Sequence, residues 1–204
     1  MSVKVKICGV TRADDARAAV DAGADYVGLN FVPSSPRCLV ADTARTVADA
    51  ARGAQIVGVF ADAAAAYVAE VADALDLALL QFHGAESPAY CRGWSRPVIK
   101  AIRAQARAEI EVLAATYGEV DHLLVDAWVP DRLGGTGAAL DVETVAGLDA
   151  DRLFVAGGLT ADTVRTVIEH LRPFAVDVAS GVERRPGVKD HAEIERFIRH
   201  AKSA

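Results

Sequence analysis

Two glycine turns, each following a short apolar run, are the clearest sign of a binding site in this sequence. Phe154–Ala156 leads into Gly157-Gly158, and Phe174–Ala179 leads into Ser180-Gly181. Glycine lets backbone N–H groups approach a ligand closely, and a helix start adds unpaired N–H donors with a partial positive charge. The spacing therefore predicts that the two turns together bind a phosphate group.

Cys8 is the candidate nucleophile or base. In a strand over Val3–Cys8, alternation places Lys6 and Cys8 on one face, about 6–7 Å apart. A buried lysine requires a counter-ion, and we predict that Asp177 in the last apolar run supplies it. We expect the cation to lower the thiol pKa from about 8.5, which favours a thiolate base or nucleophile. The alternative is a small buried apolar residue, the commoner fate of a free cysteine.

Asp126 and Arg37 are the candidate acid and anion-binding residues. Asp126 ends an apolar run, and a carboxyl buried at a strand end has a raised pKa suited to a general acid. A local cap or amide partner is the alternative role. Arg37 follows a loop that two prolines stiffen, where a guanidinium can grip a substrate carboxylate in a bidentate manner. A solvated surface arginine is the alternative here.

A third glycine cluster, Gly134–Gly137, follows Asp126 and includes Gly135. It could complete the phosphate site or act as a mobile lid over it. A plain loop is the alternative for any single cluster of this kind. His83, just after another apolar run, is a candidate for lining the same pocket.

Eight short apolar runs alternate with helix-like segments, which predicts parallel strands joined by helical crossovers. We predict an α/β fold in which residues 1–204 form a single (β/α)8 TIM barrel. Its phosphate site would lie in the loops after strands 7 and 8, at the end where such barrels place their active sites. An open doubly wound sheet is the competing fold, but no G-x-G-x-x-G follows the first strand. The predicted strands are Val3–Cys8, Asp25–Phe31, Gln55–Phe60, Leu77–Phe82, Pro97–Ile102, His122–Asp126, Leu153–Ala156 and Phe174–Ala179.

Composition narrows the class of protein. The chain is 52% hydrophobic with a net charge of −6, so nucleic acid and anionic membranes are not expected partners. Three cysteines at irregular spacing show no zinc pattern and predict reduced thiols rather than disulfides. Neither a signal peptide nor a membrane span is evident, and we expect a cytoplasmic protein.

Several motifs, in this order along the chain, resemble those of the phosphoribosylanthranilate isomerase family. The likeness extends from residue 4 to about residue 190. Each motif alone is weak, whereas the ordered set is specific. The motifs are Lys6-Ile7-Cys8-Gly9 with Thr11, Phe31–Arg37, Gln81–Gly84 with Glu86, Asp126 with Gly134–Gly137, Ala156–Leu159 and Val178–Glu183.

The resemblance implies an Amadori rearrangement of N-(5-phosphoribosyl)anthranilate in tryptophan biosynthesis, without cofactor or metal. It implies that Asp126 is the general acid, that Cys8 is the general base and that Arg37 holds the anthranilate carboxylate. It also implies that the phosphate of the substrate, a small molecule, is held by backbone around Gly135, Gly157, Gly158, Ser180 and Gly181. A monomer or a homodimer is expected.

Two alternatives remain open at this point. A related sugar-phosphate barrel isomerase of the histidine pathway uses paired aspartates, whereas the first strand here ends in Cys8; activity on both substrates stays open. A non-catalytic barrel that only binds a phosphorylated ligand is the second alternative, and the intact pair of Cys8 and Asp126 argues against it.

Overall fold

A closed barrel of eight parallel strands forms the centre of the protein. The computed structural model describes residues 2–103, 106–126 and 142–204 of the chain. The strands follow chain order around the barrel, and β8 pairs with β1 to close it. This closure confirms the predicted barrel over the open sheet. The strands are β1 Lys4–Cys8, β2 Tyr26–Asn30, β3 Gln55–Phe60, β4 Leu79–Phe82, β5 Val98–Ile102, β6 His122–Asp126, β7 Leu153–Ala156 and β8 Ala175–Val178.

Helices surround the barrel and form the crossovers that parallel strands require. In the last helix, the buried residues Ile194, Phe197, Ile198 and Ala201 recur at helical spacing and so form one apolar face. The Asp190 side chain caps the first turn of this helix. The described helices are α1 Ala13–Asp21, α2 Ala41–Ala50, α3 Ala65–Ala74, α4 Pro88–Arg92, α5 Arg107–Thr116, α6 Val142–Val145, α7 Val164–Leu171 and α8 His191–Lys202.

Strand alternation divides the apolar residues into two layers. Val5 and Ile7 of β1 point outward and join the large cluster between barrel and helices. Leu124 and Phe154 belong to a separate cluster that fills the barrel. Full burial of one such side chain stabilises the fold by about 1.5–3 kcal/mol, so each strand is fixed with its inner and outer faces as the sequence pattern predicts.

The sequence predicts that Thr11 caps a helix of about Arg12–Ala22 and that Thr160 caps a helix over Ala161–Leu171, and both predictions are wrong. Thr11 caps no helix, because α1 begins two residues later and the Thr11 hydroxyl donates to the Gly187 carbonyl instead. Thr160 was expected to cap a helix from Ala161, but α7 begins at Val164 after an intervening turn. The Thr11 hydroxyl thus bonds to a hairpin carbonyl, and the Thr160 hydroxyl bonds to the Thr163 hydroxyl instead of to a backbone N–H of the helix.

A short hairpin follows the eighth strand where the sequence indicates only a solvated turn at Arg184-Arg185-Pro186. Strand β9, Glu183–Arg185, pairs antiparallel with β10, Val188–Lys189. Gly187 between them has a φ of 77°, in the region that favours glycine. The hairpin lies against the end of β1, because the buried Lys189 ammonium donates to the Cys8 carbonyl at 2.6 Å.

Candidate active site

Polar side chains from different strands meet inside the upper part of the barrel. Lys6 of β1 is fully buried, and its ammonium lies 3.0 Å from Oδ1 of Asp177 on β8. The two residues are directly opposite in the register of the strands. The predicted ion pair is therefore confirmed. The pair lies between β1 and β8, two residues before Cys8 along β1.

Cys8 is the last residue of β1, and a glycine on the neighbouring strand leaves room for its side chain. A Cβ atom at Gly28 on β2 would lie 2.9 Å from Cys8 Sγ, a distance that real Cβ atoms essentially never show, and 3.1 Å from Cys8 Cα, which is tighter than most real contacts. Gly28 was not predicted as a site residue. The sequence feature that could have identified it is a glycine inside a predicted strand, which often marks a site where another part of the protein or a ligand approaches the backbone closely. The thiol therefore has its place because β2 carries no side chain opposite it.

The thiol pKa moves in the opposite direction to the expectation. Burial raises the pKa of Cys8 and the Asp177 charge raises it further, although Lys6 opposes both. The expected lowering by a nearby cation is wrong, because desolvation of the thiolate outweighs that cation. Cys8 is therefore a protonated thiol at rest, and its thiolate, once formed, is a strong base. The positive charge of Lys6 favours the ionised form of Cys8, so Lys6 is a group that stabilises the thiolate.

Asp126 at the end of β6 has the environment expected of an acid. Burial raises the pKa of Asp126, Asp177 adds to the rise, and Arg103 opposes it. The raised pKa agrees with the prediction, while the catalytic role stays a prediction. Because Cys8 and Asp126 are the last residues of the parallel strands β1 and β6, the thiol and the carboxyl lie at the same end of the barrel.

Arg37 reaches the mouth but already has a carboxylate partner. Its Nε and Nη2 atoms donate to the two oxygens of Glu183 at 2.8 and 2.6 Å. A Cβ atom at Gly9, which has a φ of 68°, would lie 2.3 Å from Arg37 Cδ. The guanidinium stem therefore packs over the residue after Cys8, and the alternative of a solvated arginine is excluded. Glu183 raises the pKa of Arg37, so the charge is permanent.

Glu183 itself was missed as a site residue. Its side chain is 3% exposed and also receives Lys189 Nζ at 3.0 Å. Burial alone would raise the pKa of Glu183, but bonds from Arg37 and Lys189 lower it below the ordinary value. The available signal was an acidic residue directly after a glycine turn, which does not reveal its partners because they are distant in sequence.

The two glycine turns lie against each other. Gly157 and Gly158 have φ angles of 93° and 66°, and a Cβ at Gly158 would meet nothing within 4 Å. A Cβ at Gly181 would lie 1.9 Å from the carbonyl oxygen of Leu159, so only glycine fits there. Ser180 opens a short 3₁₀ turn, Ser180–Val182. The arrangement leaves open space over Gly158, while phosphate binding stays a prediction.

One predicted site residue lies outside the described residues. Gly135, with the rest of Gly134–Gly137, falls between residues 126 and 142. In the part of the chain that is described, no group of three His, Cys, Asp or Glu side chains could hold a metal ion. No helix within the described ranges has the length and apolar character needed to cross a membrane.

Comparisons with known proteins agree with these observations. A sequence model described as N-(5'phosphoribosyl)anthranilate (PRA) isomerase matches residues 5–200. The N-(5'-phosphoribosyl)anthranilate isomerase of Thiobacillus denitrificans is 46% identical over 205 residues, covering 100% of both chains. Identity of this level over the full length extends well beyond the site motifs.

Two solved structures share the whole fold. Phosphoribosyl anthranilate isomerase from Thermotoga maritima superposes with a TM-score of 0.90 at 38% identity, covering 99% of this chain and 100% of that one. A structure of phosphoribosyl anthranilate isomerase in complex with reduced 1-(o-carboxyphenylamino)-1-deoxyribulose 5-phosphate has a TM-score of 0.87 at 36% identity, covering 99% and 100%. This chain therefore belongs to the N-(5'-phosphoribosyl)anthranilate isomerase family.

Proposed function

We propose that this protein converts N-(5-phosphoribosyl)anthranilate into 1-(2-carboxyphenylamino)-1-deoxyribulose 5-phosphate, an Amadori rearrangement in L-tryptophan biosynthesis. One observation carries the proposal: in a chain of this family, Cys8 and Asp126 are the last residues of the parallel strands β1 and β6 and therefore lie at the same end of the barrel. A thiol and a carboxyl so arranged supply a base and an acid to two atoms of one small substrate. The reaction moves hydrogen atoms within the substrate, so atoms and electrons balance without a co-reactant.

The acid step opens the ring. Asp126 gives its proton to the furanose ring oxygen, the bond from C1 to that oxygen breaks, and the nitrogen lone pair forms a protonated Schiff base. Burial supports this role because it raises the pKa of Asp126 and keeps a larger fraction protonated at a given pH. Arg103 then stabilises the carboxylate that remains, since its Nε atom lies 3.8 Å from Oδ2.

The base step moves the double bond. The Cys8 thiolate takes the proton from C2, the electron pair forms the C1–C2 double bond, and the iminium becomes an enaminol that ketonises to the product. A high thiol pKa makes the thiolate a stronger base toward a weakly acidic C–H bond, at the cost of a small thiolate fraction. The positive charge of Lys6 offsets part of that cost.

The binding groups hold the two anionic ends of the substrate. We assign the phosphate to backbone N–H groups around Gly157, Gly158 and Ser180-Gly181, with Gly135 as a further contributor. Arg37 uses Nε and Nη2 on Glu183, which leaves Nη1 for the anthranilate carboxylate. In this assignment Glu183 fixes the guanidinium before the substrate arrives, which lowers the ordering cost of binding. A cytoplasmic location and a monomeric or homodimeric state stay predictions.

The test is turnover of freshly generated phosphoribosylanthranilate, followed by the loss of its fluorescence. We expect wild-type protein to turn over, and Cys8→Ser and Asp126→Asn each to lose activity by about 100-fold or more, the usual contribution of a general acid or base. Circular dichroism and unfolding curves control for loss of fold. Near-normal turnover by either variant would contradict that residue's role, and no turnover by the wild type would contradict the function.

A further inference from the structure

His83 occupies a constrained position beside the acid. It is the first residue after β4, and its N–H donates to the Phe60 carbonyl at 2.8 Å. The turn that follows is fixed by Glu86, whose carboxylate accepts the Gly84 N–H at 3.0 Å. Lys100 holds Glu86 in turn at 2.8 Å, in a pair that is 3% and 2% exposed. The imidazole therefore extends from a backbone with little freedom.

The hydrogen bond from Gln81 determines which ring nitrogen of His83 carries the proton. The Gln81 amide nitrogen lies 3.1 Å from Nδ1. An amide nitrogen only donates, so Nδ1 accepts and the proton of the neutral ring is on Nε2. Burial and the positive charges of Arg103, Lys6 and Lys100 lower the pKa of His83 to about 4. The ring is thus a neutral donor in any near-neutral solution.

The Nε2 donor is buried, and no hydrogen-bond partner reaches it among the described residues. The nearest carboxylate atom is Oδ2 of Asp126 at 3.9 Å, the same oxygen that faces Arg103 Nε at 3.8 Å. A buried donor without a bond costs about 1–3 kcal/mol. Such a cost is recovered if the bond forms during the reaction, when charge appears on the carboxyl.

We propose that His83 is a positioning residue for the acid: its Nε2–H closes on Oδ2 of Asp126 as the carboxyl gives up its proton. Two donors facing Oδ2 make it the acceptor oxygen of the acid and leave the transferable proton on Oδ1. His83 keeps its own proton throughout, so it changes no bond. The inference rests on the acid role of Asp126 in the proposed function.

The charged groups around this pair define how the pH profile should respond. The Asp126 carboxyl faces His83 and Arg103, and the charge of Asp177 helps to raise the pKa of Asp126. Because the carboxyl ionises before the Cys8 thiol, the acid limb of the kcat/KM profile belongs to Asp126. Loss of a donor to the carboxylate raises the Asp126 pKa and moves that limb to higher pH. The substrate's own ionisations are the same for every variant and cancel in the comparison.

The test compares His83→Leu with His83→Gln, whose terminal amide restores an N–H donor, and with His170→Gln on the exposed face of α7 as control. We expect His83→Leu to lower kcat about 10- to 100-fold, the range for a bond to a charged group, with KM changed less and the acid limb moved upward. We expect His83→Gln to recover most of both effects and His170→Gln to match the wild type.

A second measurement addresses the tautomer directly. In 15N-labelled wild-type protein, long-range correlation spectra separate protonated from bare ring nitrogens, and His83→Gln identifies the resonance among the five histidines. We expect the Nε2–H form near neutral pH, and the Nδ1–H form or a charged ring would overturn the proposal. This readout stands even if His83→Leu does not fold.

Two kinetic outcomes distinguish failure of this inference from failure of the proposed function. If Asp126→Asn is inactive while His83→Leu has wild-type kcat and an unmoved acid limb, only the role of His83 is refuted. If Asp126→Asn turns over at a near-normal rate, the acid assignment fails and the role of His83 fails with it.

Discussion

Replacing Lys6 by methionine tests whether the buried ion pair holds the barrel and the thiol together. The ammonium is fully buried and 3.0 Å from Asp177, whose side chain is 9% exposed. Methionine fills a similar volume but leaves the Asp177 charge without a partner in a poorly solvated interior. Two functions of Lys6 are lost together: the ion pair with Asp177 and the positive charge that favours the Cys8 thiolate.

The expected loss of stability follows from the burial. Removing one member of a buried pair destabilises a protein by about 3–5 kcal/mol. Lys4 provides a matched control on the same strand, because its ammonium pairs with Asp25 at 2.9 Å while its side chain is 45% exposed. An exposed pair contributes only about 0.2–1 kcal/mol. Lys4→Met should therefore leave the free energy of unfolding nearly unchanged.

Urea unfolding followed by circular dichroism measures both variants. The free energy of unfolding falls by about 2 kcal/mol per molar urea, so the expected loss of stability lowers the urea midpoint of Lys6→Met by about 1.5–2.5 M. The double variant Lys6→Met/Asp177→Asn should recover part of the loss, since it leaves no buried charge unpaired. Equal midpoints for the two single lysine variants would refute the view that the buried pair is structurally critical.

Two further predictions concern the thiol and the pH profile. Gly28→Ala should lower kcat and destabilise the fold by about 1–3 kcal/mol, because its Cβ would lie 2.9 Å from Cys8 Sγ and 3.1 Å from Cys8 Cα. Unchanged kinetics and an unchanged thermal unfolding curve would show that β1 shifts freely to make room. The kcat/KM profile should be bell-shaped, rising as Asp126 ionises and falling as Cys8 ionises. The active form has a protonated Asp126 carboxyl and a Cys8 thiolate, and it is the less populated of the two forms that carry one proton between these groups. Burial raises both pKa values, so the alkaline limb should lie above the usual thiol value of about 8.5, and a stopped-flow profile with that limb below it would contradict the burial argument.

Most of the fold could be predicted because its signals are local. Short apolar runs identified all eight strands, with ends displaced by at most two residues. The alternation of Lys6 and Cys8 with valine and isoleucine fixed their inward direction, since a one-residue slip would bury charges against the helices. The partnership of Lys6 and Asp177 then followed from the need for a counter-ion and from the closure of the barrel.

The helix starts and the loop layer were harder to predict. Thr11 and Thr160 have the composition of caps, yet their hydroxyls bond to other loop residues at the barrel mouth. A cap is a preference worth about 1 kcal/mol, and a competing partner brought near by the fold readily replaces it. The contact of Arg37 with Glu183 joins residues far apart in sequence, so no local pattern contains it.

The sequence by itself determined the eightfold alternation, the inward direction of Lys6 and Cys8, and the family to which the ordered motifs point. Only the tertiary structure decided the direction of the Cys8 pKa, because desolvation depends on everything that surrounds the thiol, including the bare backbone of Gly28. It likewise decided that Arg37 is held by Glu183 and that His83 presents Nε2 to Asp126. Such properties depend on distances between strands and loops, which closure of the barrel sets and which no single stretch of chain encodes.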